Sequence, residues 1–341
     1  MNTMARGPTI VFWRRWVWSI AVVLCLSLMG CAAFNPSEHV PQAAQAREQV
    51  VRLPIQTVDF DWVDEQRQRA VPARLYWPDG EANRPVPLIV FSHGIGGSRV
   101  GYGYLGQYWA SQGYASLHVQ HVGSDRSLWC CNPFTLLGRL QAAASDSEAM
   151  ARAVDVRRAL DWLLASERGP QIDTRHMAIA GHSYGANTAL LLAGARVAPG
   201  SEACDLCDAR FSAAILISAP PFYGRDNLAS ILAGVEVPTL HITASEDVIR
   251  IPGYESALSD RLRVFESTGS PFKVLTVFEG GSHSVFTGRP LTGGVFLNPK
   301  IKEATRSLSL AFLRRVFDGD EASLDEWHEH HAGLMSSFVT R

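Results

Sequence analysis

The pentapeptide Gly-His-Ser-Tyr-Gly at residues 181–185 constrains this chain more than any other segment. An apolar run, Met177–Ala180, precedes it, and a helical pattern over Ala186–Val197 follows it. This order predicts a buried strand that turns sharply into a helix, because the two glycines allow the turn and raise the serine hydroxyl above the sheet. The free N–H groups at the start of such a helix favour negative charge. We therefore predict that Ser183 is a nucleophile.

A serine hydroxyl needs a base that a third group orients. In strand–turn–helix sites of this kind, the chain order is serine, acid, histidine. Two downstream residues fit this order: Asp247 follows the strand pattern Thr239–Thr243, and His283 lies in a glycine-rich loop after the strand pattern Val274–Phe278. We predict that Asp247 is the acid and His283 the base, with the neighbouring Glu246 as the alternative acid.

A second glycine-rich loop, Ser-His-Gly-Ile-Gly-Gly at residues 92–97, follows a near-continuous apolar run. A loop in this place supplies one backbone N–H to the oxyanion of an acyl-transfer intermediate, and the residue after the nucleophile supplies the other. We expect these donors to be the N–H groups of Ile95 and Tyr184. The histidines of the two motifs, His93 and His182, are expected to have structural roles.

Short apolar runs alternate with helical patterns along most of the chain. This alternation predicts an α/β fold, in which helices cover both faces of a mostly parallel central sheet. Two earlier runs with alternating polarity, Thr57–Val63 and Val71–Trp77, predict an antiparallel strand pair at the N-terminal side. The helical pattern Met150–Ser166 places Asp155 on the polar face, opposite its apolar residues.

The N-terminus has the pattern of a secretory signal peptide. Arg14 and Arg15 precede the apolar run Trp16–Met29, which is too short for a membrane-spanning helix and ends at the small residues Gly30 and Cys31. The tetrapeptide Leu-Met-Gly-Cys that ends this segment resembles a bacterial lipobox, in which the cysteine receives lipid and becomes the first mature residue. We expect an exported cell-envelope lipoprotein on the periplasmic or surface face of a bacterial membrane. An uncleaved anchor and a plain signal peptide are the alternatives.

These patterns divide the chain into four segments. We predict a lipoprotein-type signal peptide at 1–30, a tether at 31–49, the folded domain at 50–320 and an acidic, histidine-rich tail at 321–341. Within the domain, residues 123–147 form a long insertion without a regular period, which we expect to serve as a lid or a substrate wall.

Four cysteines remain outside the signal and the lipidation site, and all are disulfide candidates: Cys130, Cys131, Cys204 and Cys207. An even count in an oxidising compartment favours disulfides, although four cysteines allow three pairings. A four-cysteine zinc site is the less favoured alternative, because adjacent cysteines make a poor ligand pair. We predict no metal site and no cofactor. The net charge of −2 gives no electrostatic basis for binding nucleic acid.

From about Val51 to Phe317 the chain resembles the α/β-hydrolase superfamily. Within this range, the block Val86–Asp125 and the pentapeptide at 181–185 resemble the platelet-activating-factor acetylhydrolase and dienelactone-hydrolase-like group. This resemblance implies an α/β-hydrolase fold and hydrolysis of carboxylic esters through a serine acyl-enzyme, without metal or organic cofactor. Dienelactone hydrolases use a cysteine where this chain has Ser183. In the lipid acetylhydrolases the acid follows an earlier strand, but Ile-Ser-Ala-Pro at residues 217–220 has no carboxylate. These two departures argue against lactone and phospholipid specificity.

The sequence therefore predicts a membrane-tethered serine esterase that acts on a small-molecule or lipid ester. Lipase, polyester hydrolase, peptidase and acyltransferase activities use the same residues, and sequence separates them poorly because specificity depends on the pocket. A catalytically inactive lipoprotein that binds a component of the envelope is the alternative from another class.

Overall fold

A nine-stranded mixed sheet forms the centre of the molecule. The computed structural model describes residues 52–80, 84–130, 132–197, 205–222, 224–251, 254–289 and 294–341. The strands, numbered along the chain, are β1 (Ile55–Asp64), β2 (Arg69–Pro78), β3 (Val86–Ser92), β4 (Ala115–Val119), β5 (Ile172–His182), β6 (Ala213–Ile217), β7 (Thr239–Glu246), β8 (Ile249–Ile251), β9 (Tyr254–Ser256), β10 (Lys273–Ser282) and β11 (Met335–Thr340). The helices are α1 (Gly103–Ser111), α2 (Leu136–Ala143), α3 (Asp146–Ala165), α4 (Tyr184–Ala193), α5 (Leu228–Leu232), α6 (Leu258–Ser267), α7 (Leu297–Leu313) and α8 (Ser323–His331).

The order of strands in the sheet is β1-β2-β4-β3-β5-β6-β7-β10-β11, and β8 and β9 pair separately as a small hairpin. All neighbours from β4 to β10 are parallel, whereas β1–β2, β2–β4 and β10–β11 are antiparallel. The parallel strands are short apolar runs because both of their faces are covered. The predicted α/β fold and the antiparallel N-terminal pair are confirmed.

The core consists of two layers, one on each face of the sheet. Successive side chains of a strand point to opposite faces, so Leu88 and Val90 of β3 belong to one layer, and Ile89 and Phe91 to the other. Side chains of α3, α4 and α5 complete the first layer, and side chains of α1 and α7 complete the second. The parallel strands between these layers end at one edge, where loops bring distant residues together.

Helix α3 begins where Ser145 accepts a hydrogen bond from the N–H of Glu148 at 3.3 Å, as an N-cap residue does. One stripe of polar side chains on this helix, Glu148, Arg152 and Asp155, is buried. Asp155 is fully buried and forms ion pairs with Arg67 at 2.8 Å and with Arg69 at 2.9 Å. The hydropathy pattern of the helix predicted the polar face for Asp155. It could not predict that Arg67 and Arg69, which lie at the connection between β1 and β2, cover this residue.

The C-terminal segment differs from the prediction of a tail at 321–341. It forms α8 and then β11, which pairs antiparallel with β10 and completes the sheet. Trp327 is buried, and its indole N–H donates to the hydroxyl of Ser307 on α7 at 2.9 Å. Phe338 packs against the second core layer. The few apolar residues of α8 are hard to recognise as an amphipathic helix in the sequence, because acidic and histidine residues surround them. The folded unit therefore continues to Arg341.

The predicted signal peptide, the tether and Cys31 lie outside the described residues. Within the described part of the chain, no helix has the length and apolar character needed to cross a membrane.

Candidate active site

The turn between β5 and α4 holds Ser183 in a strained backbone conformation. Its φ of 55° and ψ of −121° are unusual for a residue with a side chain. A Cβ atom at Gly181 would overlap the carbonyl oxygen of Gly185, and one at Gly185 would overlap the carbonyl oxygen of Ser92. The pentapeptide therefore needs both glycines, one to close the turn and one to bring it against the end of β3.

The structure brings Ser183, His283 and Asp247 together from three separate parts of the chain. The His283 Nε2 atom lies 2.8 Å from Ser183 Oγ, and the His283 Nδ1 atom lies 2.7 Å from Asp247 Oδ1. Because an ionised carboxylate only accepts hydrogen bonds, Nδ1–H donates to Asp247, and Nε2 is left to accept from the serine hydroxyl. The side chain of Asp247 is fully buried, whereas the side chain of His283 is 18% exposed. This is the arrangement that activates a serine.

Three further side chains bind the Asp247 carboxylate. Ser218 and Thr243 donate to Oδ2 at 2.5 and 2.7 Å, and the Arg261 guanidinium donates to Oδ1 at 3.2 Å. Burial opposes ionisation, but the hydrogen bond from His283 and the positive charge of Arg261 hold the pKa of Asp247 below its ordinary value. Asp247 is therefore ionised at neutral pH. Glu246, the alternative acid, is exposed.

These three supporting residues were not among the residues predicted from the sequence. Ser218 follows β6, the strand whose end was noted only for its missing carboxylate, and its φ of 51° is in the left-handed region. Arg261 lies on α6 and is buried. A hydroxyl or an arginine of this kind has no local sequence signal, because its role depends on contacts across the fold.

Ile95 follows a glycine that lies against the nucleophile turn, and Tyr184 directly follows Ser183. Ile95 belongs to the loop after β3, and a Cβ at the adjacent Gly94 would come within 3.3 Å of the Ser183 Cβ. Tyr184 is the first residue of α4. Within the described part of the chain, neither N–H has an acceptor. Free donors in this position suit an oxyanion, and the start of α4 adds a partial positive charge.

The two motif histidines connect loops of the site. The hydroxyl of Tyr102 donates to His182 Nδ1 at 2.8 Å, and His182 Nε2–H donates to the backbone carbonyl of His283 at 3.1 Å. Burial lowers the pKa of His182 to about 3, so its ring is neutral. His93 Nδ1–H donates to the carbonyl of Gly94 at 2.7 Å, and its Nε2 accepts the N–H of His121 at 3.1 Å.

The insertion at 123–147 contains more regular structure than predicted. It consists of two 3-10 turns, Arg126–Trp129 and Pro133–Thr135, followed by α2. The indole N–H of Trp129 donates to the carbonyl of Gly96 at 3.0 Å, and a Cβ at Gly96 would overlap the indole ring. Trp129 is 51% exposed. The insertion therefore places an aromatic ring beside the loop that carries Ile95.

The structure describes two of the four cysteines predicted as disulfide candidates. Cys207 is disulfide-bonded, and Cys130 is exposed at the end of a 3-10 turn. Cys131 and Cys204 lie outside the described residues, so the pairing stays a prediction. Among the residues that the structure describes, no group of three or more histidine, cysteine, aspartate or glutamate side chains could hold a metal ion.

Comparison with known proteins agrees with this architecture. The family model for platelet-activating factor acetylhydrolase, isoform II, matches residues 78–135, which include the block on which the predicted resemblance depends. A ferulic acid esterase from Streptomyces cinnamoneus has a similar structure, with a TM-score of 0.59 and 20% sequence identity over 79% of this chain and 91% of the esterase chain. No curated protein matches the chain. The chain therefore has an α/β-hydrolase fold, and its residues 78–135 are similar to the platelet-activating factor acetylhydrolases, isoform II.

Proposed function

We propose that the protein hydrolyses carboxylic esters through a serine acyl-enzyme, with Ser183 as nucleophile, His283 as base and then acid, and Asp247 as the group that orients His283. The observation that carries the proposal is the continuous chain of short hydrogen bonds from Ser183 Oγ through the imidazole to the buried carboxylate. The family match over residues 78–135 supports an ester as the substrate.

The reaction follows from this geometry. As Ser183 Oγ forms a bond to the ester carbonyl carbon, its proton passes to His283 Nε2, and Asp247 stabilises the resulting imidazolium. The carbonyl oxygen becomes an oxyanion that the N–H groups of Ile95 and Tyr184 bind. When the intermediate collapses, the bond to the leaving alcohol breaks and His283 returns the proton to that alcohol. A water molecule then attacks the acyl-enzyme by the same steps and releases the carboxylic acid and Ser183.

A substrate panel tests ester specificity against the other activities of this triad. We expect the full-length chain to hydrolyse p-nitrophenyl esters and methyl ferulate but not the p-nitroanilides of the same acids. The panel also includes esters of increasing acyl length, a polyester film and an acceptor alcohol, which identify a lipase, a polyester hydrolase or an acyltransferase. Equal hydrolysis of anilides and esters would indicate a peptidase. No turnover of any member would favour a binding lipoprotein and contradict the proposal.

We also propose that the enzyme is exported and held on a membrane through lipid on Cys31. The support is the order of basic, apolar and small residues that ends at this cysteine. In bacteria that express the full chain, labelled palmitate should be incorporated into the wild-type protein and lost with Cys31→Ser, whereas Cys25→Ser should retain it. Equal labelling of wild type and Cys31→Ser would exclude this anchor.

A further inference from the structure

A fully buried arginine lies directly behind the candidate active site. Arg152, on α3, has no exposed surface. Its Nε donates to Thr188 Oγ1 at 3.0 Å and its Nη1 to Ser124 Oγ at 2.7 Å. Its Nη2 donates to Ser92 Oγ at 3.0 Å and to the backbone carbonyl of His93. One guanidinium therefore binds four residues that are 28 to 60 positions away in sequence.

Three of these partners lie beside the loop that carries the first oxyanion donor. Ser92 and His93 lead from β3 into this loop, two to three residues before Ile95. The backbone carbonyl of Ser124 accepts the N–H of Gly96 at 2.8 Å, so the Ser124 segment holds the other side of the loop. Arg152 therefore fixes both backbone segments that shape the loop around Ile95.

The fourth partner connects Arg152 to the second oxyanion donor. The hydroxyl of Thr188 donates to the backbone carbonyl of Tyr184 at 3.2 Å, one turn earlier on α4. The Arg152 guanidinium also lies over the Tyr184 ring, 4.5 Å from its centroid. The same side chain thus contacts the residues on both sides of the Ser183 turn.

Stability alone does not explain this residue, because apolar side chains of similar volume often replace buried charges without loss of stability. Burial lowers the pKa of Arg152 to about 10, which leaves the group charged at neutral pH. Arg152 is connected to the carboxylates of Glu148 and Asp155 only through other side chains. Ser124 Oγ donates to Glu148 at 2.9 Å, and His121 bridges Ser92 and Asp155 at 2.9 and 3.1 Å. Arg69 forms direct ion pairs with both carboxylates.

We propose that Arg152 is a positioning residue for the oxyanion hole, which keeps the N–H groups of Ile95 and Tyr184 convergent on the oxyanion and contributes positive charge behind them. This inference rests on the proposed function. It predicts that Arg152 acts on the transition state more than on bound substrate, because the oxyanion exists only after attack.

The test compares kcat and KM for p-nitrophenyl acetate in full-length variants. For Arg152→Met we expect kcat to fall about 100-fold, as for loss of one oxyanion donor, with KM within about 3-fold of wild type. For Arg152→Lys we expect kcat to fall about 10-fold, because lysine keeps the charge but cannot reach all four partners. Leu163→Ala is the control: Leu163 is a fully buried residue of the same helix whose loss destabilises the core without touching this network.

The proposal is overturned if Arg152→Met loses no more kcat than Leu163→Ala, or if its loss is confined to KM. Should Arg152→Met fail to fold, Thr188→Val removes a single bond from the guanidinium in a nearly isosteric way. It should lower kcat about 5-fold with KM unchanged, since it removes only one of the hydrogen bonds that hold the guanidinium in place; wild-type kcat would overturn the proposal. A wild-type chain without esterase activity would instead overturn the proposed function, and this inference with it.

Discussion

Replacing Ser183 with alanine should lower kcat for p-nitrophenyl acetate by about 10⁴- to 10⁶-fold, because no other group can form the acyl-enzyme. The fold should remain intact. Alanine keeps the β-carbon, so the strain at a φ of 55° is unchanged, and the side chain loses only the hydrogen bond to His283. Initial rates at neutral pH measure the loss, and the far-UV circular dichroism spectrum reports the fold.

The matched control is Ser212→Ala. Ser212 lies just before β6, and its hydroxyl donates to the carbonyl of Met177 at 3.2 Å, away from the site. This variant should keep kcat close to wild type. If Ser183→Ala retained more than about a tenth of the wild-type rate, the turnover would come from another group, since loss of a nucleophile costs far more than this.

Replacing Asp247 with asparagine should lower kcat about 10⁴-fold, with little change in the position of the imidazole. Asparagine no longer requires Nδ1 of His283 to carry the proton. The proton can move to Nε2, where it points at Ser183 and prevents the ring from accepting the hydroxyl proton. The measurement is kcat for p-nitrophenyl acetate across a pH series, because the deficit should persist at every pH where wild type is active.

The same variant should lower the free energy of unfolding by about 3 kcal/mol at neutral pH, because the buried Arg261 loses its ionised partner. The pKa of Asp247 is lower in the folded protein than in the unfolded chain. Its contribution to stability is therefore complete above the unfolded pKa and is lost as the pH falls through the folded pKa. Urea unfolding at pH 7 tests this loss.

Glu246→Gln is the control for the activity measurement. A larger loss of activity in this variant than in Asp247→Asn would reverse the assignment of the acid.

The proximity of Ser183, Asp247 and His283 could be predicted, because each of these residues lies in a recognisable local pattern. Ser183 follows a buried strand and opens a helix, and Asp247 and His283 lie near the ends of strands. Parallel strands end at the same edge of a sheet, so their distance in sequence does not matter. The fold class followed from the same periodicity.

The supporting residues could not be predicted in this way. Arg152 lies in a helical pattern that gives only its secondary structure, and nothing local indicates that Ser92, Ser124 and Thr188 surround it. Such buried polar networks depend on contacts between distant segments, and each member is informative only when its partners are known. The C-terminal strand was not predicted for a related reason: β11 is short, follows an acidic and histidine-rich segment, and pairs with the distant β10.

The most direct test of the central claim is to find which residue a fluorophosphonate probe modifies. The probe reacts with activated serine hydroxyls, and peptide mapping by mass spectrometry locates the adduct. We expect one stoichiometric adduct on Ser183 in the wild-type chain and none in His283→Ala, as the proposed function requires. An adduct on a different residue, or an unlabelled wild-type chain that still hydrolyses esters, would contradict it.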